Sequence, residues 1–487
     1  MAKVMGLPQV FSDKISRKSR QVLSINERLD SMANSKFYNT ATILDEDQVK
    51  DLLHFMRLPS NLLSDRDQQI MSDFFEKLQD EEVYNEEAVW QTITQEGDNS
   101  MKQMKSRLLK TLERYLIFHA VDRAPALKNV ILSEVYVENL KLKNASSAIN
   151  KATKLVETLQ NRDLRNELYK FWLFELEVNS LRDERRTMDQ IDQMEAALKE
   201  FFAIHSMRLL CEKVNRRNII QEFQDLPQAA DQILEMGKST ELKIYHQVFK
   251  MLVSKDRAAF EYIRNFLDEN EQFFAPKFLK ELLEYLTNFC IENINSGDPN
   301  FAKTYLRYIE QMEKNNLLLD GGKISVLKFT NCVVASIIAQ KYDWIGKFIG
   351  KYADCVPIQD PEEKKALIAF NKAIVALHAG DVDQSAQFLT TFQASAQNNR
   401  DLYYKVAGDK MLLKIRFEKG DYKFVETRTE SVDRYIRRTN ALKKERKKKH
   451  QTFLKLLRKL RKHTPFDLDA HKEQLYILDY LWLAKFS

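Results

Sequence analysis

The segment RRTNALKKERKKKHQTFLKLLRKLRK, residues 437–462, concentrates the charge of this 487-residue chain. Arg437, Arg438, Lys443, Lys444, Arg446, Lys447, Lys448, Lys449, Lys455, Arg458, Lys459, Arg461 and Lys462 face one acid, Glu445, for a local charge of +12. The whole chain is only +6, so the remainder is net −6, and the pI of 8.8 is produced by this one stretch. Cations at this density can neutralise the phosphates of RNA or DNA, or dock an acidic partner. They can equally solvate the outer face of a helix. In the second half, Phe453, Leu456, Leu457 and Leu460 fall on one face and Lys455, Arg458, Lys459, Arg461 and Lys462 on the other, an amphipathic helix. From Lys443 to His450 there is no apolar residue, and no aromatic residue interleaves to stack bases. Like-charge pairs four apart, Lys443 with Lys447 and Lys444 with Lys448, each cost only about 0.2–0.5 kcal/mol.

Other chemistry-bearing patterns are sparse. LLLDGGKIS contains Gly322-Lys323, but a phosphate-cradling loop needs a glycine five residues before Gly322, where Leu317 stands. The two glycines are therefore expected to end a helix. The eight histidines are scattered, none three or four residues from another histidine or a cysteine as a helical zinc pair requires. His205 is expected in a core with one hydrogen-bond partner. In DLDAHKE, Asp467 or Asp469 is expected to cap the helix that follows. The acidic DEEVYNEEAVW, residues 80–90, reads as a loop and helix N-terminus, with docking of the basic segment as the alternative. No catalytic set, cofactor or metal is expected.

The elements that must carry these residues follow from composition. Eleven glycines and nine prolines in 487 residues are about a third of the usual share. Strands need turns and turns need these residues, so long helices with short polar loops are expected, an all-α protein. With 29 Phe and 18 Tyr, a packed core is available. Cys211, Cys290, Cys332 and Cys355 form no CxxC and sit in apolar helical contexts, which predicts buried, unpaired thiols and a reducing, cytoplasmic setting. No run reaches signal-peptide or membrane-spanning length, so no membrane partner is expected.

Turns recur at SKDRAAFEYI near 255, SGDPNFAKTYL near 297, AQKYDWIGKFI near 340, AGDVDQSAQFL near 380 and KGDYKFVETR near 420, at spacings of 42, 43, 40 and 40 residues. A fixed period of that length marks stacked two-helix units. Gly297, Gly380 and Gly420 would supply left-handed C-caps, the following Asp would cap the second helix, and Ala302 and Ser385 would let the paired helices approach. This pattern resembles the tetratricopeptide repeat, whose turn commonly reads G-D-Y-x-x-A, over residues 240–438, with repeats of about 40 residues rather than the usual ~34. That resemblance implies an α-solenoid of stacked antiparallel helix pairs. The layout, with LTNFCIENINSGD, YDWIGKFIGKY and DRYIRR, is also similar to uncharacterised helical-repeat proteins of environmental bacteria.

Upstream the chain is helical but less regular. Met188, Ile191, Met194, Leu198, Phe201 and His205 form one apolar stripe, and NASSAINKATKLVETL near 145 fits a further hairpin. The expected organisation is a mobile arm over 1–39, an irregular helical domain over 40–235, repeats over 236–464 ending in the basic helix, and a capping helix over 465–487. Pro227 and Gly237 mark the boundary at 226–237. The closing LYILDYLWLAKFS is expected to cover the last repeat, with a homodimer contact through 475–486 as the alternative. The functional expectation is a non-catalytic scaffold for a protein or peptide partner. The alternative is non-specific RNA or DNA binding through 437–462.

Overall fold

A computed structural model describes residues 36–58, 63–79, 90, 93, 98–158, 165–181, 187–216, 226–395, 402–439, 442 and 444–486. The expected arm up to residue 35, the acidic stretch at 80–89 and Lys443 lie outside the described residues. Every described element is helical, and among the described residues the only β-type pairing is a single bridge between Asp320 and Lys323. The chain divides into two compact units whose boundary falls at Lys199 and Glu200.

In the first unit the helices are α1 (Lys36–Ala41), α2 (Glu46–Met56), α3 (Asp65–Gln79), α4 (Asp98–Asp122), α5 (Pro125–Glu138), α6 (Leu142–Thr158) and α7 (Arg165–Ser180). Phe37, Phe74 and Trp90 form one aromatic centre, with Phe74 stacked on Trp90 at 4.8 Å. Val130, Ile149, Ala152 and Leu173 form another core. Helices α5 and α6 pack on each other across a three-residue connection in which Leu140 is left-handed at φ 55.

Helix α8 (Met188–Asn215) runs into the second unit, which continues through α9 (Leu226–Glu235), α10 (Thr240–Ser254), α11 (Arg257–Asn270), α12 (Pro276–Asn295), α13 (Phe301–Lys314), α14 (Val326–Ile338), α15 (Tyr342–Tyr352), α16 (Pro361–Ala379), α17 (Val382–Ser395), α18 (Leu402–Glu418), α19 (Tyr422–Arg438), α20 (Lys444–Arg461) and α21 (Ile477–Leu483). All five turns read from the sequence separate successive helices: α10/α11, α12/α13, α14/α15, α16/α17 and α18/α19. Gly297, Gly380 and Gly420 have φ of 97, 92 and 77, and the N–H groups of Asp298, Asp381 and Asp421 each bond back to the carbonyl five residues earlier, closing the expected C-caps. Where no glycine stands, Lys255 and Gln340 take the same left-handed conformation. Asp256, Asp381 and Asp421 then accept backbone N–H groups of the following helix. Ala302 and Ser385 are fully buried, and the Ser385 hydroxyl donates to the Ala373 carbonyl at 2.8 Å.

Helix α9 touches α10, α10 touches α11, and from α12 to α20 each helix touches the next; α10 also touches α12, α14 touches α16, and α16 touches α18. One continuous core results, and it begins earlier than the break at 226–237. Ala203, Ile204, Met207, Cys211 and Val214 share it with Leu242, Tyr245 and Val248, while the Glu200 carboxylate accepts the N–H groups of Lys238 and Ser239 at 2.8 and 3.0 Å.

Three expectations are corrected. On α8 the buried face is Ala197, Ala203, Ile204, Met207 and Cys211, whereas Met188, Ile191 and Leu198 are exposed. The small residues let a neighbour approach, which a count of large apolar side chains overlooks. Gly321 and Gly322 do not end a helix: α13 stops at Lys314, and both glycines, at φ 53 and 74, form a tight turn closed by the Asp320–Lys323 pairing. Of the four free thiols, Cys355 is half-buried, the other three buried.

Candidate functional site

Helix α20 carries most of the basic segment. At 100° per residue Phe453, Leu454, Leu456 and Leu457 face inward, and all four are fully buried, with His450 and Thr452 beside them. The arginines turn sideways. Arg458 and Arg437 both donate to Asp433 on α19, each at 3.0 Å, and Arg461 donates to Glu426 at 2.5 Å. Burial would raise the Asp433 pKa, but the two guanidinium groups overcome it and hold the carboxyl below its ordinary range. Lys447 donates to the Arg437 carbonyl and Lys449 to the Leu475 carbonyl, each at 3.3 Å, and Lys449 lies over the Tyr476 ring.

The cations are thus divided, not gathered. Lys444, Lys448, Lys455, Lys459 and Lys462 fall within a sector of about 60° on the side of α20 opposite its buried residues. None of these five has an ionic partner among the described residues. Arg438 is exposed at the end of α19, and Arg446 is half-buried.

Beneath this helix lies a buried polar cluster that sequence reasoning missed. Lys410 and Lys414, one turn apart on α18, both bond to Asp479 on α21, Lys414 at 2.9 Å. All three side chains are at least nine-tenths buried. The ammonium groups lie against the Phe453 ring at 4.9 and 5.3 Å, with Tyr476 and Trp482 also within cation–π range. His378 from α16, His450 from α20 and Tyr476 complete the walls of a cavity of about 70 Å³. The signal was present: Val406, Lys410, Leu413, Lys414 and Phe417 share one face at helical spacing, and Asp479 is the only acid in an apolar heptamer.

The electrostatics of this cluster are strong. Burial, reinforced by Lys414 and Lys485, lowers the His378 pKa to about 3, and burial with Lys410 does the same for His450. Both imidazoles are therefore neutral at physiological pH. Burial lowers the Lys410 pKa while Asp479 opposes the shift. For Asp479, burial is overcome by Lys410 and Lys414, which hold its carboxyl well below the usual range. His378 Nε2, His450 Nδ1 and the Tyr476 hydroxyl are buried with no hydrogen-bond partner.

The C-terminal residues contribute Tyr476, Leu478 and Asp479 to the cavity lining and pack beside it. Leu475, Leu478, Trp482 and Leu483 are buried, Trp482 lies between Phe417 and Phe453, and Lys485 donates to the carbonyls of Leu377 and His378 at 3.2 and 3.5 Å. Asp467 accepts the Ala470 N–H as a cap, and Asp469 accepts the Tyr480 hydroxyl. His205 is half-buried against the Phe201 ring at 4.5 Å.

Among the described residues, no three His, Cys, Asp or Glu side chains are placed to hold a metal ion, and no helix is long and apolar enough to cross a membrane. No known protein family, curated protein or solved structure matches the chain.

Proposed function

We propose that this chain is a non-catalytic scaffold of the cytoplasm, a tetratricopeptide-like stack of antiparallel helix pairs that presents its surface to a protein or peptide partner. The contacts of α10, α14 and α16 with the helix two positions on support a stack built of pairs. The observation that carries the reading against nucleic acid is the engagement of Arg437 and Arg458 by Asp433, and of Arg461 by Glu426. Arg458 and Arg461 tie α20 to α19, and Arg437 pairs with Asp433 within α19, instead of projecting as phosphate ligands. Burial of Leu475, Leu478 and Trp482 within the chain supports a capping role for the C-terminus over a homodimer contact.

The second reading, RNA binding, is favoured by one observation, the outward stripe of Lys444, Lys448, Lys455, Lys459 and Lys462. Five phosphates neutralised on a single strand would give a log–log salt slope of about −3.5. The test is fluorescence anisotropy with labelled single-stranded RNA at low and physiological salt, for wild type and a variant with these five lysines changed to Gln. In parallel, partners are captured from native lysate with and without nuclease. The scaffold reading expects weak RNA binding at physiological salt and nuclease-resistant protein capture by both proteins. Submicromolar RNA binding at physiological salt that vanishes in the variant overturns it.

A further inference from the structure

Beyond the scaffold reading and independent of it, we propose that the cavity between Lys410, Lys414, His378 and His450 binds a small monovalent oxyanion of the carboxylate or dihydrogen-phosphate class. Charge is the first ground. Two ammonium groups against one carboxylate leave one positive charge inside the fold. The surrounding rings attract a cation but supply no counter-charge. A buried ion without one is strongly unfavourable, and a monovalent anion closes the balance. A divalent anion overshoots it and a neutral ligand leaves it open.

Hydrogen-bonding capacity is the second ground. Each ammonium has three N–H groups. Lys410 directs one to Asp479, while Lys414 reaches Asp479 and, at 3.5 Å, the Leu478 carbonyl. N–H groups on both lysines therefore lack an oxygen acceptor among the described residues. The unpartnered Tyr476 hydroxyl and two neutral imidazoles line the same space, each with a polar atom able to meet an oxyanion once its proton is suitably placed. Size is the third ground. At about 70 Å³ the cavity has room for about five water-sized bodies, the scale of acetate or phosphate. Groups of this kind left unsatisfied in a native interior call for an occupant.

The test is thermal unfolding of the full chain in HEPES buffer with about 20 mM sodium acetate or sodium phosphate, against sodium chloride at equal ionic strength. At least one of the two oxyanions is expected to raise the unfolding temperature by about 3 °C beyond chloride. Lys414→Met leaves one lysine paired with Asp479 and should abolish the rise. Lys410→Met should do the same, and stands in if the first variant does not fold. Asp479→Asn strands both ammonium groups and should enlarge the rise. No effect beyond chloride from either oxyanion in wild type overturns the proposal. So does a rise that persists unchanged in a folded lysine variant, or one that fails to grow in folded Asp479→Asn.

Discussion

Acidification from about pH 7.5 to about pH 5.5 should destabilise the 200–487 unit through His378 and His450. An unfolded histidine titrates near pH ~6.5, whereas these two, buried and neutral, are pushed down to about 3. Between those values the unfolded chain binds more protons than the folded one. Stability is therefore full above pH ~6.5 and is lost as pH falls toward 3. At pH ~5.5 each imidazole contributes a loss of about 1.4 kcal/mol, so the pair contributes about 3 kcal/mol, a large share of a typical 5–15 kcal/mol. His246, also lowered by burial and by Lys250, adds to the loss with the same sign. Most carboxylates are still ionised at this pH and add little. The assay is urea unfolding followed by circular dichroism and tryptophan fluorescence at both pH values and constant ionic strength. A double variant, His378→Leu with His450→Leu, should keep only the His246 part. A wild-type loss below about 1 kcal/mol, or a double variant with an undiminished loss, refutes the reasoning.

Removing the buried carboxylate by Asp479→Ala should cost about 3–5 kcal/mol in urea unfolding, since two ammonium groups lose their counter-charge. Replacing the whole cluster, Lys410→Met, Lys414→Met and Asp479→Leu together, should be neutral or stabilising by about 1–4 kcal/mol in the same measurement, because the desolvation penalty goes with the pair attraction. Leu457→Ala, on the fully buried face of the basic helix, should cost about 2–5 kcal/mol, whereas Lys455→Gln on the outer stripe should shift stability by less than about 0.5 kcal/mol. With an aromatic disulfide reagent, native protein should expose one reactive thiol, Cys355. Burial raises the pKa of Cys211, Cys290 and Cys332, the last to about 12, so these should react only after denaturation.

Helix content and the five turns were legible in the residue pattern because both are local matters. A scarcity of glycine and proline leaves the backbone few ways to stop, and a Gly-Asp pair at 297, 380 or 420 both ends one helix and caps the next within a few residues. Even Lys255 and Gln340, which carry no such signature, turn left-handed where the period requires it.

The partners of the charges were not legible. Thirteen cations look alike along the chain, yet Asp433 takes Arg437 and Arg458, Glu426 takes Arg461, and five lysines remain outward. The pattern placed His450 with the solvated half of the basic stretch, whereas packing of α20 on Tyr476 buries it. Lys410 meets Asp479 across 69 residues of chain. Helical spacing specifies which side chains share a face, but the energy of a charge depends on its distance to an opposite charge and on the water between them. Both quantities are set only when distant helices pack.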